Sequence, residues 1–146
     1  MRAIYVDSDA CPVISDVIEL SGDHPVHLVC NRHHEISSDD DSVTVHCSSD
    51  RADGADYYIY NHSSRGDIVV TDDLGLAALV LGAGCHVVRF RGERINNEQI
   101  EQRLLIRHTA AKSRRAGHKT KGPPPFTPAE RERFRKSFKK CLDSFS

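Results

Sequence analysis

The sequence predicts an α/β domain built on a mainly parallel sheet with helices on its faces, and two observations carry that prediction. Short apolar runs alternate with stretches of helical periodicity, which is the pattern of strands joined by crossover helices. Two of those runs, Tyr5-Val6-Asp7-Ser8-Asp9 and Ile68-Val69-Val70-Thr71-Asp72-Asp73, end in acidic pairs, so carboxylates fall at the carboxyl ends of strands. In open α/β sheets ligands and ions gather at that edge, where strands stop and helix amino termini point. A length of 146 residues fits one domain spanning 1–146.

The elements follow in order. Ala3 to Val6 reads as a buried strand, and Pro12 opens a helical pattern with Val13, Val17 and Leu20 on one face. The turn Gly22-Asp23-His24-Pro25 precedes a second apolar run, Val26 to Cys30. Ile36 to Ser42 is acidic loop, and Val43 to His46 alternates weakly enough for a short third strand. Asp50, Asp53 and Asp56 recur at every third position into Tyr57-Tyr58-Ile59-Tyr60, the start of a helix. Asp67 to Thr71 is the clearest buried strand, followed by an apolar helix from Leu74 to Leu81 that Gly82-Ala83-Gly84 stops. His86 to Phe90 makes a further strand, and Ile100, Leu104 and Leu105 mark a helix over Asn96 to Arg107. Beyond a basic segment at 107–121, Gly122-Pro123-Pro124-Pro125-Phe126 is a stiff extended connector. Thr127-Pro128-Ala129-Glu130 then forms a capping box with proline at the first helical position, and Phe134, Phe138, Cys141 and Phe145 give a last helix over about 127–145 one apolar stripe.

Composition narrows the function classes. Hydrophobic residues at 38% and charged residues at 28% describe a soluble globular chain, and the apolar run at Ala3 to Val6 is too short for a signal peptide or a spanning helix. The five cysteines are odd in number and scattered, without a Cys-x-x-Cys pair, which predicts reduced thiols in a cytoplasm. Up to Gln102 the chain carries 7 Lys and Arg against 18 Asp and Glu, a net charge of −11, whereas the rest carries 13 against 3, a net +10. An acidic body suits a cation and a basic tail suits a polyanion, although the two ends of one molecule can also pair with each other.

The acidic pairs define the candidate chemistry. Neighbouring strands lie about 4.8 Å apart, so if the first strand adjoins the one at Asp67 to Thr71, Asp7, Asp9, Asp72 and Asp73 can share a divalent ion such as Mg²⁺. Asp53 and Asp56 are candidates for a third acidic corner. The competing readings are structural: Asp7 or Asp9 as a cap for the helix at Pro12, and Asp53 and Asp56 as partners of a helix dipole. A zinc site at Cys30, His33 and His34 or at His46-Cys47 lacks finger or zincin spacing. Cys11 among carboxylates is a poor nucleophile, and no Gly-Lys-Ser/Thr phosphate loop is present.

These segments together resemble the uncharacterised bacterial YaiI/YqxD family, on Tyr5 to Val13, Gly66 to Ala77, Arg91-Gly92-Glu93 with Asn97 to Ile100, and Gly122 to Phe126 with Arg131 and Phe134. Ser8 stands where the family more often has alanine, and Asp72 at a variable position, which makes Asp73 the better ligand of its pair. The family is similar to PIN-like nuclease domains. That resemblance implies a three-layer sandwich of about five strands in the order 3-2-1-4-5, with Mg²⁺ or Mn²⁺ as cofactor. The expected function is a metal-dependent nuclease, RNA favoured over DNA, with Asp7, Asp9 and Asp73 catalytic and Asp7, Asp9, Asp53, Asp56, Asp72 and Asp73 as metal ligands. Arg91, Arg114, Arg115, Lys119 and Lys121 would bind phosphates. The alternatives are a non-catalytic metal- or RNA-binding module and a haloacid-dehalogenase-like phosphatase. The latter shares the Asp-x-Asp start but needs a later Lys or Arg motif, and the first lysine here is Lys112.

Overall fold

Alternation along the strands divides the apolar residues between two faces of one sheet, and each face carries its own core. The computed structural model describes residues 2–30, 41–47, 54–105 and 124–144. Its strands are β1 (Ile4–Asp7), β2 (Val26–Cys30), β3 (Val43–Cys47), β4 (Ile68–Val70), β5 (His86–Val88) and β6 (Arg94–Ile95), in the spatial order β3-β2-β1-β4-β5-β6. The first five strands pair in parallel, and β6 runs antiparallel to β5. The order 3-2-1-4-5 is the expected one, extended by a sixth strand. Two residues are too few for any periodicity, so β6 leaves no mark in the sequence. It exists because the chain reverses at Arg89 to Glu93, where Arg89 N–H donates to the Glu93 carbonyl at 2.8 Å and Gly92 takes φ +95°.

Helices α1 (Ile14–Leu20) and α5 (Pro128–Asp143) cover one face, and α2 (Gly54–His62), α3 (Leu74–Gly82) and α4, at 97–105, cover the other. The first core joins Ile4, Val6, Leu28, Ile68 and Val70 to Val13, Val17, Phe134 and Phe138. The second joins Tyr5, Val29, Val69 and Val87 to Ile59, Leu76, Val80 and Ile100. The arrangement is a three-layer α/β sandwich.

Helix α5 starts where the sequence places it. Thr127 and Glu130 form the reciprocal capping box, with Pro128 opening the first turn. The helix docks on α1 through a buried carboxylate: Arg135 donates to Asp16 at 2.8 Å, and Arg131 pairs with the other oxygen of Asp16. The basic segment 107–121 and Asp53 lie outside the described residues. No helix among the described residues is long and apolar enough to cross a membrane.

Candidate functional site

The register of β1 against β4 builds the site. Ile4 pairs with Ile68 and Val6 with Val70, so one step further along both strands Asp7 stands abreast of Thr71. The buried Thr71 hydroxyl donates to Asp7 Oδ2 at 2.9 Å and accepts the Asp73 backbone N–H at 3.0 Å. One hydroxyl thereby fixes the carboxylate at the end of β1 to the backbone that opens α3.

Beyond β1, Ser8 N–H donates to the Val29 carbonyl at 2.8 Å and Cys11 N–H to the Ser8 carbonyl at 3.2 Å. Ala10 takes φ +58°, a left-handed conformation uncommon for a residue with a Cβ. This turn carries Asp9 to the same edge as Asp7. Helix α1 is capped by neither: its cap is Val13, with no side-chain cap bond. The capping reading thus fails for Asp7 and Asp9, and it applies to Asp73, whose Oδ1 accepts N–H from Gly75 at 2.8 Å and Leu76 at 3.2 Å.

Asp7, Asp9, Asp72 and Asp73 line one cleft of about 410 Å³, with Ala10, Pro12, Phe90, Arg91 and Phe126 as its other walls. Burial, together with the negative charges of Asp73, Asp9 and Asp72, pushes the Asp7 carboxyl up to about 6, against a smaller opposing pull from the Thr71 hydroxyl. Asp7 therefore feels the other three carboxylates of the cleft. Asp72 is also engaged in the fold: it accepts Phe90 N–H at 2.9 Å and pairs with Arg89 at 3.4 Å.

Other predicted residues lie elsewhere. Asp56 is in the first turn of α2 and lines a separate surface cavity with Tyr57, Tyr60, Asn61 and Leu79, so it does not form a third corner of the cleft. Arg114, Arg115, Lys119 and Lys121 fall outside the described residues. Arg91 does line the cleft but is engaged, with both Glu130 oxygens at 2.6 Å, the Pro124 carbonyl accepting a further N–H, and the Phe126 ring 5.8 Å away. This pairing holds the Glu130 carboxyl below its ordinary value. Burial pushes the Cys11 thiol up to about 12, helped by Asp7, Asp72 and Asp16, which agrees with rejecting it as a nucleophile. His27 and His46 form a ring stack with Tyr5, Tyr58 and His62, and His33 and His34 lie outside the described residues.

Sequence reading missed Thr71, Arg89 and the aromatic walls Phe90 and Phe126. Thr71 leaves a usable signal, a hydroxyl residue at a strand end two positions before a helix cap. The role of Phe126 depends on a docking far along the chain.

Among the described residues no group of three or more His, Cys, Asp or Glu side chains stands arranged to enclose a metal ion. A closed protein cage is therefore a poor fit. Mg²⁺ usually keeps several waters and takes one or two carboxylates plus substrate phosphates, and hard oxygen donors on adjacent strand ends fit that demand. Asp7 and Asp9 from the end of β1 and Asp72 and Asp73 from the end of β4 bring such donors to the cleft.

The profile described as "Uncharacterized BCR, YaiI/YqxD family" matches residues 5–144. A UPF0178 protein of Bacillus cereus (strain AH820) is 41% identical over 143 residues, which is 95% of this chain and 97% of that protein. A UPF0178 protein of Bacillus mycoides (strain KBAB4) is 40% identical over 142 residues with the same coverage. No solved structure matches the chain. The match takes in the acidic turn after β1, the Asp72-Asp73 step after β4 and the Phe126 wall of the cleft, and the chain belongs to the YaiI/YqxD family.

Proposed function

We propose that this chain is a divalent-metal-dependent nuclease acting on RNA, with Mg²⁺ or Mn²⁺ held at the carboxyl ends of β1 and β4. The observation that supports it is the convergence of Asp7, Asp9, Asp72 and Asp73 on one cleft from two adjacent strands. An ion bound there supplies Lewis acidity for phosphodiester hydrolysis. Asp7 and Asp9 would hold it, Thr71 would fix the orientation of Asp7, and Asp73 would serve from the cap of α3. Phe126, partly exposed at the cleft, offers an aromatic wall on which an unpaired base can stack, which suits single-stranded RNA, while Phe90 is buried in the core beneath it. Arg91 keeps the Phe126 wall in place, and the basic segment with Arg114, Arg115, Lys119 and Lys121 would hold backbone phosphates. Five reduced cysteines suit a cytoplasmic location.

A second reading, a metal- or RNA-binding module without catalysis, draws on the structural engagement of two of the four acids, Asp72 with Arg89 and Asp73 with the cap. The phosphatase reading loses ground because Arg91, the cation lining the cleft, is committed to Glu130. The deciding experiment is cleavage of labelled single-stranded and structured RNA and DNA with Mg²⁺ or Mn²⁺, comparing the parent with Asp7→Asn and with Asp73→Asn, since asparagine still caps a helix. A nuclease cuts RNA only with metal and loses on the order of 100-fold in rate in Asp7→Asn. Equal rates in parent and Asp7→Asn would sink the assignment. Metal-dependent RNA binding without cleavage would establish the module instead.

A further inference from the structure

Strands β2 and β3 end side by side in two thiols. Cys30 pairs in register with Cys47, and the two sulfurs stand 3.2 Å apart. Registered residues on parallel neighbours have Cα atoms about 4.8 Å apart, inside the range of about 4.4–6.8 Å that a disulfide spans. The sulfurs need to close by only about 1.2 Å to reach bonding distance. The motion is available because β3 is the edge strand of the sheet, half-exposed along its length. The two thiols also differ in access: Cys47 is exposed, whereas Cys30 is fully buried. An exposed thiol that meets the oxidant and a shielded thiol beside it to resolve the product are the two parts a redox-sensor site requires.

We infer that Cys30 and Cys47 form a reversible oxidation site, in which a peroxide converts the two thiols to a disulfide across β2 and β3. The Cys47 thiolate attacks hydrogen peroxide; the S–O bond forms as the O–O bond breaks, and water leaves after protonation. The Cys30 thiolate then attacks the sulfenic sulfur; the S–S bond forms, the S–O bond breaks, and a second water leaves. Two thiols and one peroxide thus give one disulfide and two waters, and a dithiol reductant reverses the change. A crosslink that includes the exposed Cys47 stays open to a reductant, which is the condition of labile and regulatory disulfides. The site lies one residue from Val29, whose carbonyl braces Ser8 between Asp7 and Asp9. It is independent of whether the chain cleaves RNA.

The test treats the full chain with hydrogen peroxide and reads free thiols and a non-reducing peptide map. The expected result is loss of two of the five thiols and a linked pair of peptides, because cleavage after Arg32 separates Cys30 from Cys47. Fragmentation must place the bond at Cys30 and not at Cys11, which shares the Cys30 peptide. Dithiothreitol should restore all five thiols. In Cys30→Ser the crosslink is absent and Cys47 is labelled by dimedone as a sulfenic acid; in Cys47→Ser neither product forms. A map in which Cys30 and Cys47 stay free while other cysteines oxidise overturns the inference, as do Cys47-linked dimers or an unchanged thiol loss in Cys47→Ser. The parent map alone decides the matter if a variant fails to fold.

Discussion

Asp7 concentrates the electrostatics of the cleft. Its carboxyl is raised from 3.8 to about 6, first by burial and then by its acidic neighbours. Between those two values the folded chain holds a proton that the unfolded chain has released, so this group's contribution to stability rises as pH falls through 6 and is lowest above it. Asp7→Asn should therefore stabilise the metal-free protein by about 2–3 kcal/mol at pH 7.5. That gain should shrink below pH 6 and vanish below about pH 4, as read by urea unfolding of both proteins in the presence of a chelator. His27 and His46, lowered mainly by burial, act in the opposite sense by losing stability as pH falls through 6.5, and the parent-to-variant difference removes them. Thr71→Val takes away the hydroxyl that favours ionised Asp7 and leaves the Asp73 N–H without its acceptor. The expected results are a cost of about 1–3 kcal/mol and a carboxyl titration of Asp7 displaced further upward, seen by NMR.

At the scale of elements, the reversal between β5 and β6 packs directly against α5. A Cβ on Gly92 would stand 2.7 Å from the Arg133 carbonyl carbon and 2.8 Å from Phe134 N, and φ there is +95°. Ser137 secures the contact by donating its hydroxyl to the Gly92 carbonyl at 2.6 Å. Gly92→Ala should cost at least about 2 kcal/mol in chemical denaturation, combining backbone strain with a clash against a helix backbone. Gly22→Ala is the control, since Gly22 also has positive φ but nothing lies within 4 Å of the added Cβ, and its cost should stay near about 1 kcal/mol. Equal costs at the two positions would show that α5 does not press on the reversal.

At the scale of the molecule, the two cores are unequal in how they are built. The helices that cover the second face, α2, α3 and α4, follow one another in sequence between Gly54 and 105, whereas the α1 face is completed by α5 from the far end of the chain. Phe134 and Phe138 are fully buried there, their rings 5.5 Å apart. Phe134→Ala should lower stability by about 3–5 kcal/mol, and Leu79→Ala, at a half-exposed residue of α3, by less than about 1 kcal/mol. Thermal unfolding of the two variants checks this. A small loss for Phe134→Ala would mean that α5 is an appendage rather than part of the core.

The sequence by itself determined the five strands that show as short apolar or alternating runs, the capping box that starts α5, and the placing of four carboxylates at strand ends. Hydrophobic period and capping chemistry are local, so they can be read from neighbouring residues. Only the tertiary structure decided which acids meet. Asp7 and Asp73 come together because β1 and β4 are adjacent and in a register that sets Thr71 between them, and strand order reflects competition among whole faces for burial. Asp56 has the same chemistry and a suggestive spacing, yet α2 carries it to another surface. Phe126 and Arg91 reach the cleft through the docking of α5, and β6 exists through a turn, since neither a long-range contact nor a two-residue strand leaves a periodic trace.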